Sequence, residues 1–165
     1  MQAPIPSLAL VTEAAVPMRG RPQHAAEQVH QVVFGERVAV LCQQDDWLQV
    51  RNELDAYEGW LPTQSVALPS DEAAWGELHT ELRVAQPIAI AQVQEGQAGP
   101  GYPFHLPVGA RFPYQSREGE AYILRWNGRR YSMPAASLTP ALPPTPTAVL
   151  ATAFLWMNAP YQWGG

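Results

Sequence analysis

Seventeen prolines in 165 residues constrain this chain more than any other feature. Proline fixes φ and carries no amide donor, so it breaks helix interiors and sits in sheets only at edges, ends and bulges. At roughly twice the usual frequency, it predicts many short strands joined by turns. Apolar residues make up 47% of the sequence, enough for a packed core, and the length suits one ordinary domain or two small ones.

Charge and cysteine usage exclude several classes. Charged residues are only 15% of the chain, against about 25% in a typical domain. The net charge of −5 leaves no electrostatic footprint for nucleic acid or an anionic membrane. A single cysteine, Cys42, excludes an internal disulfide and points away from an oxidising compartment. No basic residue precedes Arg19, and the early apolar stretch is short and proline-interrupted, unlike a secretory leader. No run approaches the roughly 18 apolar residues of a membrane span. The expectation is a cytoplasmic monomer.

The most regular region is "QVVFGERVAVLCQQDDWLQVRNELDAYEGWLPTQSVAL". Val38, Val40 and Cys42 alternate with other residues, as in a half-buried strand. "QQDD" reads as a turn, "WLQV" as a strand, "NELDA" as a turn, and "YEGWLP" as a strand ended by Pro62. Such short strands at this spacing suggest a small barrel. The pattern then recurs. Gly35-Glu36-Arg37-Val38 is answered by Gly109-Ala110-Arg111-Phe112, "WLQVR" by "YILRW", and "YEGWLPTQSV" by "RYSMPAASL". Gly35 lies 27 residues before Pro62, and Gly109 lies 25 before Pro134. Two divergent copies of one module account for this. "LRVAQPIAIAQV" leads into the second copy through a short strand, and the glycine- and proline-rich "QEGQAGPGYPFHLPVG" reads as an irregular loop.

After "TPALPPTPT" the texture changes. Thr145 is a plausible N-cap with Pro146 at the first helical position, and Ala148 to Met157 is apolar on nearly every side. Such a helix belongs inside a larger core. Left bare, it predicts poor solubility unless it folds back on the second module.

The run from Val16 to Pro62 resembles the first bacterial SH3 (SH3b) module of cytoplasmic NlpC/P60-family cysteine peptidases. The likeness rests on Val-Pro-x-Arg at residues 16–19, the Glu-x-Val…Gln-x-x-Phe-Gly-Glu run, Trp47, and Tyr57-Glu58-Gly59-Trp60. "APYQWGG" at the end resembles that family's Pro-Tyr-x-Trp-Gly-Gly approach to the catalytic domain. The resemblance implies a mostly β chain. It has two tandem SH3b-like barrels (residues 1–70 and 71–140), then a linker and the first helix of a truncated α+β, papain-like NlpC/P60 domain (141–165). It also implies an endopeptidase that recycles murein peptides, cutting γ-D-Glu–diamino acid bonds where the N-terminal L-Ala is free, without cofactor. The Asp-Cys-Ser-Gly nucleophile motif and the two later histidines of that family are absent from these 165 residues, so the chain as given is expected to be inactive.

Site candidates follow from the same likeness. In the family a glutamate and a tyrosine of the first barrel hold the substrate's N-terminal amine, and by motif position these are Glu27 and Tyr57. Their bland alternatives are a solvated loop acid and a barrel aromatic before a turn. Tyr161 and Trp163 either line the catalytic cleft or pack its base, with Gly164 and Gly165 letting the chain turn into it. Cys42, at a strand end, reads as an ordinary half-buried side chain. Trp47 and Trp60 read as core. His24 and His30 share one segment while His79 and His105 are isolated, and no Cys/His/Asp grouping has metal-ligand spacing; no metal is expected. Two other readings remain open: a non-enzymatic module tethering cell-wall peptide, and an SH3 trap for proline-rich peptides, of which "QQDDW" supplies a fragment.

Overall fold

The computed structural model describes residues 8–68, 81–94, 102–126, 129–141 and 145–160. The chain is mostly β, with fourteen strands, two 3-10 turns and one α-helix among the described residues. It divides into two compact units between residues 75 and 76.

The first unit runs through β1 (Leu8–Val11), β2 (Ala15–Arg19), β3 (Gln28–Val33), β4 (Arg37–Gln44), β5 (Trp47–Asn52), β6 (Glu58–Pro62) and β7 (Val66–Ala67). They form one sheet in the order β3-β2-β6-β5-β4-β1-β7. The two-residue period of a strand sorts the side chains. Leu48 and Val50 of β5, Leu61 of β6 and Val16 and Met18 of β2 turn inward, onto Val32 and Val38. Each such side chain contributes about 1.5–3 kcal/mol when fully buried. The same period corrects one expectation: Trp60 is half-buried rather than core, because Gly59 and Leu61 on either side of it face inward. In β4, Val38 is buried while Val40 and Cys42 are half-buried. A register shift between Val40 and Cys42 leaves Leu41 exposed. Gln43 and Gln44 extend that strand, so the expected "QQDD" turn shrinks to its two aspartates.

The second unit holds β8 (Leu82–Val84), β9 (Ile88–Gln94), β10 (Phe104–Pro107), β11 (Ser116–Glu118), β12 (Ala121–Trp126), β13 (Arg129–Pro134), β14 (Leu138–Pro140) and α1 (Pro146–Phe154). One sheet runs β10-β9-β13-β12-β11 and another pairs β14 with β8. The "FHLP" part of the stretch expected as a loop is strand β10, registered against β9 with Phe104 opposite Ala91 and Leu106 opposite Ala89. Pro107 is accommodated because it closes that strand.

The two units are built on one junction. In the first, the Gly35 amide donates to Val11 O at 2.9 Å, Val11 N–H to Glu36 O at 2.9 Å, and Thr12 N–H to Ser65 O at 3.0 Å. In the second, Gly109 N–H donates to Val84 O at 2.9 Å, Val84 N–H to Ala110 O at 2.9 Å, and Ala85 N–H to Ser137 O at 3.0 Å. Gly35 (φ 78°) and Gly109 (φ 85°) occupy the left-handed region, where a side chain is disfavoured. A proline precedes each 3-10 turn, Pro62 before Thr63–Ser65 and Pro134 before Ala135–Ser137. The β-hairpins correspond too, with Trp47 opposite Pro62 and Ala121 opposite Pro134. This pairing corrects the sequence alignment by one residue: Trp47 corresponds to Ala121, not to Tyr122.

Helix α1 starts as its sequence dictates. Thr145 Oγ1 accepts from Ala148 N–H at 3.2 Å, and Pro146 occupies the first turn. No helix among the described residues is long and apolar enough to cross a membrane.

Two predictions follow from this packing. A methyl group on residue 59 falls 2.3 Å from Met18 Cγ and 3.1 Å from Arg19 O, and Met18 is fully buried. Gly59→Ala therefore costs about 1–3 kcal/mol of the first unit's stability, measured by urea unfolding; an unchanged midpoint contradicts the close approach. In the second unit the Tyr114 hydroxyl donates to Glu81 Oε1. That bond, then burial and the carboxylate's charge, pushes the phenol up to about 12. The folded value lies above the ordinary one near 10, so this contribution is complete below pH 10 and is lost as pH rises through 12. Ultraviolet titration should find one tyrosine ionising near pH 12 and returning to the ordinary range in Glu81→Ala; identical titrations would rule the linkage out.

Candidate functional site

Residues 52–57, between β5 and β6, form a turn that fixes Tyr57 at both ends. Asn52 N–H donates to Tyr57 O at 2.8 Å, and Ala56 N–H to Asn52 O at 2.9 Å, with Ala56 in the left-handed region at φ 62°. Asp55 Oδ1 accepts from Tyr57 N–H at 3.0 Å. The other carboxylate oxygen, Oδ2, lies 3.2 Å from His30 Nε2. The His30 ring stacks on Tyr57 with centroids 4.9 Å apart and planes 18° apart. Tyr57 nevertheless keeps 45% of its surface exposed. It is an aromatic held still and presented to solvent, with an acid beside it.

Glu27 is exposed in the turn leading into β3, where its carbonyl accepts from Gly20 N–H at 3.0 Å. It stands three residues before His30, a span of at most about 11 Å along the chain. The structure thus joins Tyr57 to His30 and Asp55, partners that the sequence reading had not singled out. Asp55 had no sequence signal beyond its place in "NELDAY". His30 could have been suspected only from a strand position opposite an unknown turn. Tyr161, Trp163, Gly164 and Gly165 lie outside the described residues.

A second feature of the first unit is a cavity of about 420 Å³ lined by His24, Asp46, Trp47, Pro62, Thr63 and Gln64. Trp47 is 9% exposed, and the His24 ring meets it edge-on with centroids 4.9 Å apart. In the second unit, a more apolar cavity of about 390 Å³ lies between the β8–β14 pair and one side of α1, where Ala151, Thr152 and Leu155 line it. The other side of α1 leaves Val149, Leu150 and Phe154 exposed.

Cys42 is half-buried and donates its thiol to Gln49 Oε1 at 3.3 Å. A thiol engaged by a neutral amide oxygen lacks the basic partner that activates a nucleophile. Among the described residues, no group of three or more His, Cys, Asp or Glu side chains could hold a metal ion.

Residues 18–66 match the family model described as the bacterial dipeptidyl-peptidase Sh3 domain. The fold is similar to that of an NlpC/P60 family protein from Bacillus cereus ATCC 10987, with a TM-score of 0.76 at 16% identity over 96% of this chain and 66% of that one. It is also similar to an NlpC/P60 endopeptidase from Photobacterium damselae subsp. piscicida, with a TM-score of 0.59 at 16% identity over 97% of this chain and 39% of that one. This chain therefore spans less than two thirds of either protein's length. No curated protein matches it.

The stacked pair makes its own prediction. His30→Ala removes the ring contact and the contact with the partly exposed Asp55 carboxylate; the former is worth about 0.5–1.5 kcal/mol and the latter little. Urea unfolding of the variant should show a loss in that range. An unaltered midpoint would mean that Tyr57 is not held by His30.

Proposed function

We propose that this chain is the N-terminal part of a cytoplasmic murein-peptide cysteine endopeptidase of the NlpC/P60 type. In this reading both units are SH3b-like barrels, residues 1–70 and 71–140. Residues 141–165 are the linker and the opening of a catalytic domain whose cysteine lies beyond the sequence given. The substrate is an L-Ala-γ-D-Glu-diamino acid peptide, cut after D-Glu. The observation that carries the reading is the exposed Tyr57, braced by His30 and Asp55, inside the segment that matches the dipeptidyl-peptidase Sh3 domain. The likeness in fold to NlpC/P60 proteins along nearly the whole chain supports it, as does the terminal "PYQWGG".

The chemistry of the site is selection of a free amine. An α-amino group has a pKa near 7.7–8.0 and is mostly cationic at neutral pH. The Tyr57 hydroxyl accepts one of its hydrogens, and the Glu27 carboxylate supplies a charge-assisted bond. An acylated peptide offers neither the charge nor the room, so longer peptides are rejected twice over. His30 and Asp55 keep the tyrosine ring in place, so that little entropy is lost when the amine arrives. The nucleophilic thiolate and its histidine base belong to the domain that would follow.

A non-enzymatic peptide-binding module is the second reading, favoured by the engagement of the lone thiol with Gln49. The two are separated by the full-length protein. It should cleave a free-amine tripeptide, whereas the 165-residue chain should not. In the full-length protein, Glu27→Gln and Tyr57→Phe should each lower kcat/KM about tenfold or more through KM, with N-acetylated tripeptide cleaved poorly by all forms. Equal cleavage of free and acetylated peptide, with both variants unaffected, would eliminate the amine clamp.

A further inference from the structure

Three residues that line the cavity beside Trp47 are replaced in the repeat of the same module, and that comparison indicates what the cavity is for. The backbone is the same at both places: Thr63 N–H donates to Asp46 O at 2.8 Å, and Ala135 N–H donates to Glu120 O at 2.8 Å. The register against the closing proline is also shared, Trp47 opposite Pro62 and Ala121 opposite Pro134. Yet where the first unit has Trp47, Thr63 and Gln64, the second has Ala121, Ala135 and Ala136. The hairpin and its 3-10 turn therefore form without an indole, a hydroxyl or an amide at these positions. Their presence in the first unit calls for a reason other than folding.

The geometry points to a peptide-binding site whose ligand is a short, otherwise uncharged peptide carrying a compact side-chain ammonium. Asp46 puts an exposed carboxylate on the cavity wall, which attracts a cation and repels an anion. The Trp47 indole, met edge-on by the His24 ring, gives the cavity an apolar wall for the methylene stem of such a side chain. Thr63 lines the cavity as well, with its Oγ1 buried and without a hydrogen-bond partner. The Gln64 amide can both donate and accept, which suits a peptide backbone. At about 420 Å³ the space lies within the range of small-ligand sites. A sugar fits less well, because Trp47, only 9% exposed, offers no open ring face for stacking.

The test uses the 165-residue chain and probes with blocked termini, so that no free α-amine is present for Glu27 and Tyr57, and it reads binding at Trp47 itself. N-acetyl-Ala-Lys-Ala-amide, its norleucine isostere and N-acetylglucosamine are titrated at pH 8 while the indole N–H resonance of Trp47 is followed. The lysyl peptide should shift it saturably and bind at least tenfold tighter than the norleucine peptide. Asp46→Asn should weaken that binding about tenfold, while Glu53→Gln, an equal loss of charge elsewhere in the unit, should leave it unchanged. The double variant Thr63→Ala/Gln64→Ala carries the second unit's own residues, so it should fold normally and bind several-fold more weakly. Equal affinity for lysyl and norleucine peptides, tighter binding of the sugar, indifference to Asp46→Asn, or no saturable shift would each overturn the assignment. None of these outcomes bears on the amine clamp, whose failure is read only in cleavage by the full-length protein.

Discussion

Three backbone hydrogen bonds, made twice, hold this chain in its form. A glycine in the left-handed region returns the chain so that its amide meets the first strand of its unit, at Gly35 to Val11 of β1 and at Gly109 to Val84 of β8. The residue after each glycine accepts from the same strand. A buried serine ending the 3-10 turn, Ser65 or Ser137, accepts through its carbonyl from the residue just after that strand, Thr12 or Ala85. Each bond is worth only about 1 kcal/mol net, but leaving any of these groups unpaired in the interior costs more. The apolar packing on Leu48, Val50 and Leu61 depends in turn on the register of β5 against β4 and β6. A one-residue slip would turn every one of those side chains outward.

Given that shared scaffold, the differences between the copies carry the functional information. The first unit presents a braced tyrosine on the turn between β5 and β6 and a Trp-walled cavity on the other end of the same hairpin. The second has alanine where the cavity has Trp47, Thr63 and Gln64. It spends its hydrogen-bonding chemistry on Tyr114 and Glu81, and apposes one side of an apolar helix to its short sheet.

Much of this was legible in the sequence. The glycine-to-proline spacing exposed the repeat, and the Thr145-Pro146 start marked the helix. What stayed hidden has physical causes. Strand β2 contains Pro17, which reads as a breaker but is tolerated where the ladder does not need its amide. Strand β10 was masked by glycines and prolines that lie largely before it. Trp60 looked like core because it is large, yet period and not size decides which face a strand residue takes. At the turn between β5 and β6, motif position singles out Tyr57, but no local pattern links His30 or Asp55 to it. That link crosses from β3 to a turn more than twenty residues later, and only tertiary pairing reveals it. The first unit's cavity was equally invisible until the hairpin registers of both copies could be compared.

The account stands on one scaffold used twice, and amide hydrogen exchange reads that scaffold residue by residue. The amides of Val11, Thr12 and Gly35, and of Val84, Ala85 and Gly109, should be among the slowest in their units, opening only when the unit unfolds. The Tyr57 amide, bonded to an exposed aspartate, should exchange faster. If the glycine amides instead exchange at the rate of exposed turns in either unit, the two copies do not share the junction on which this reading of the chain rests.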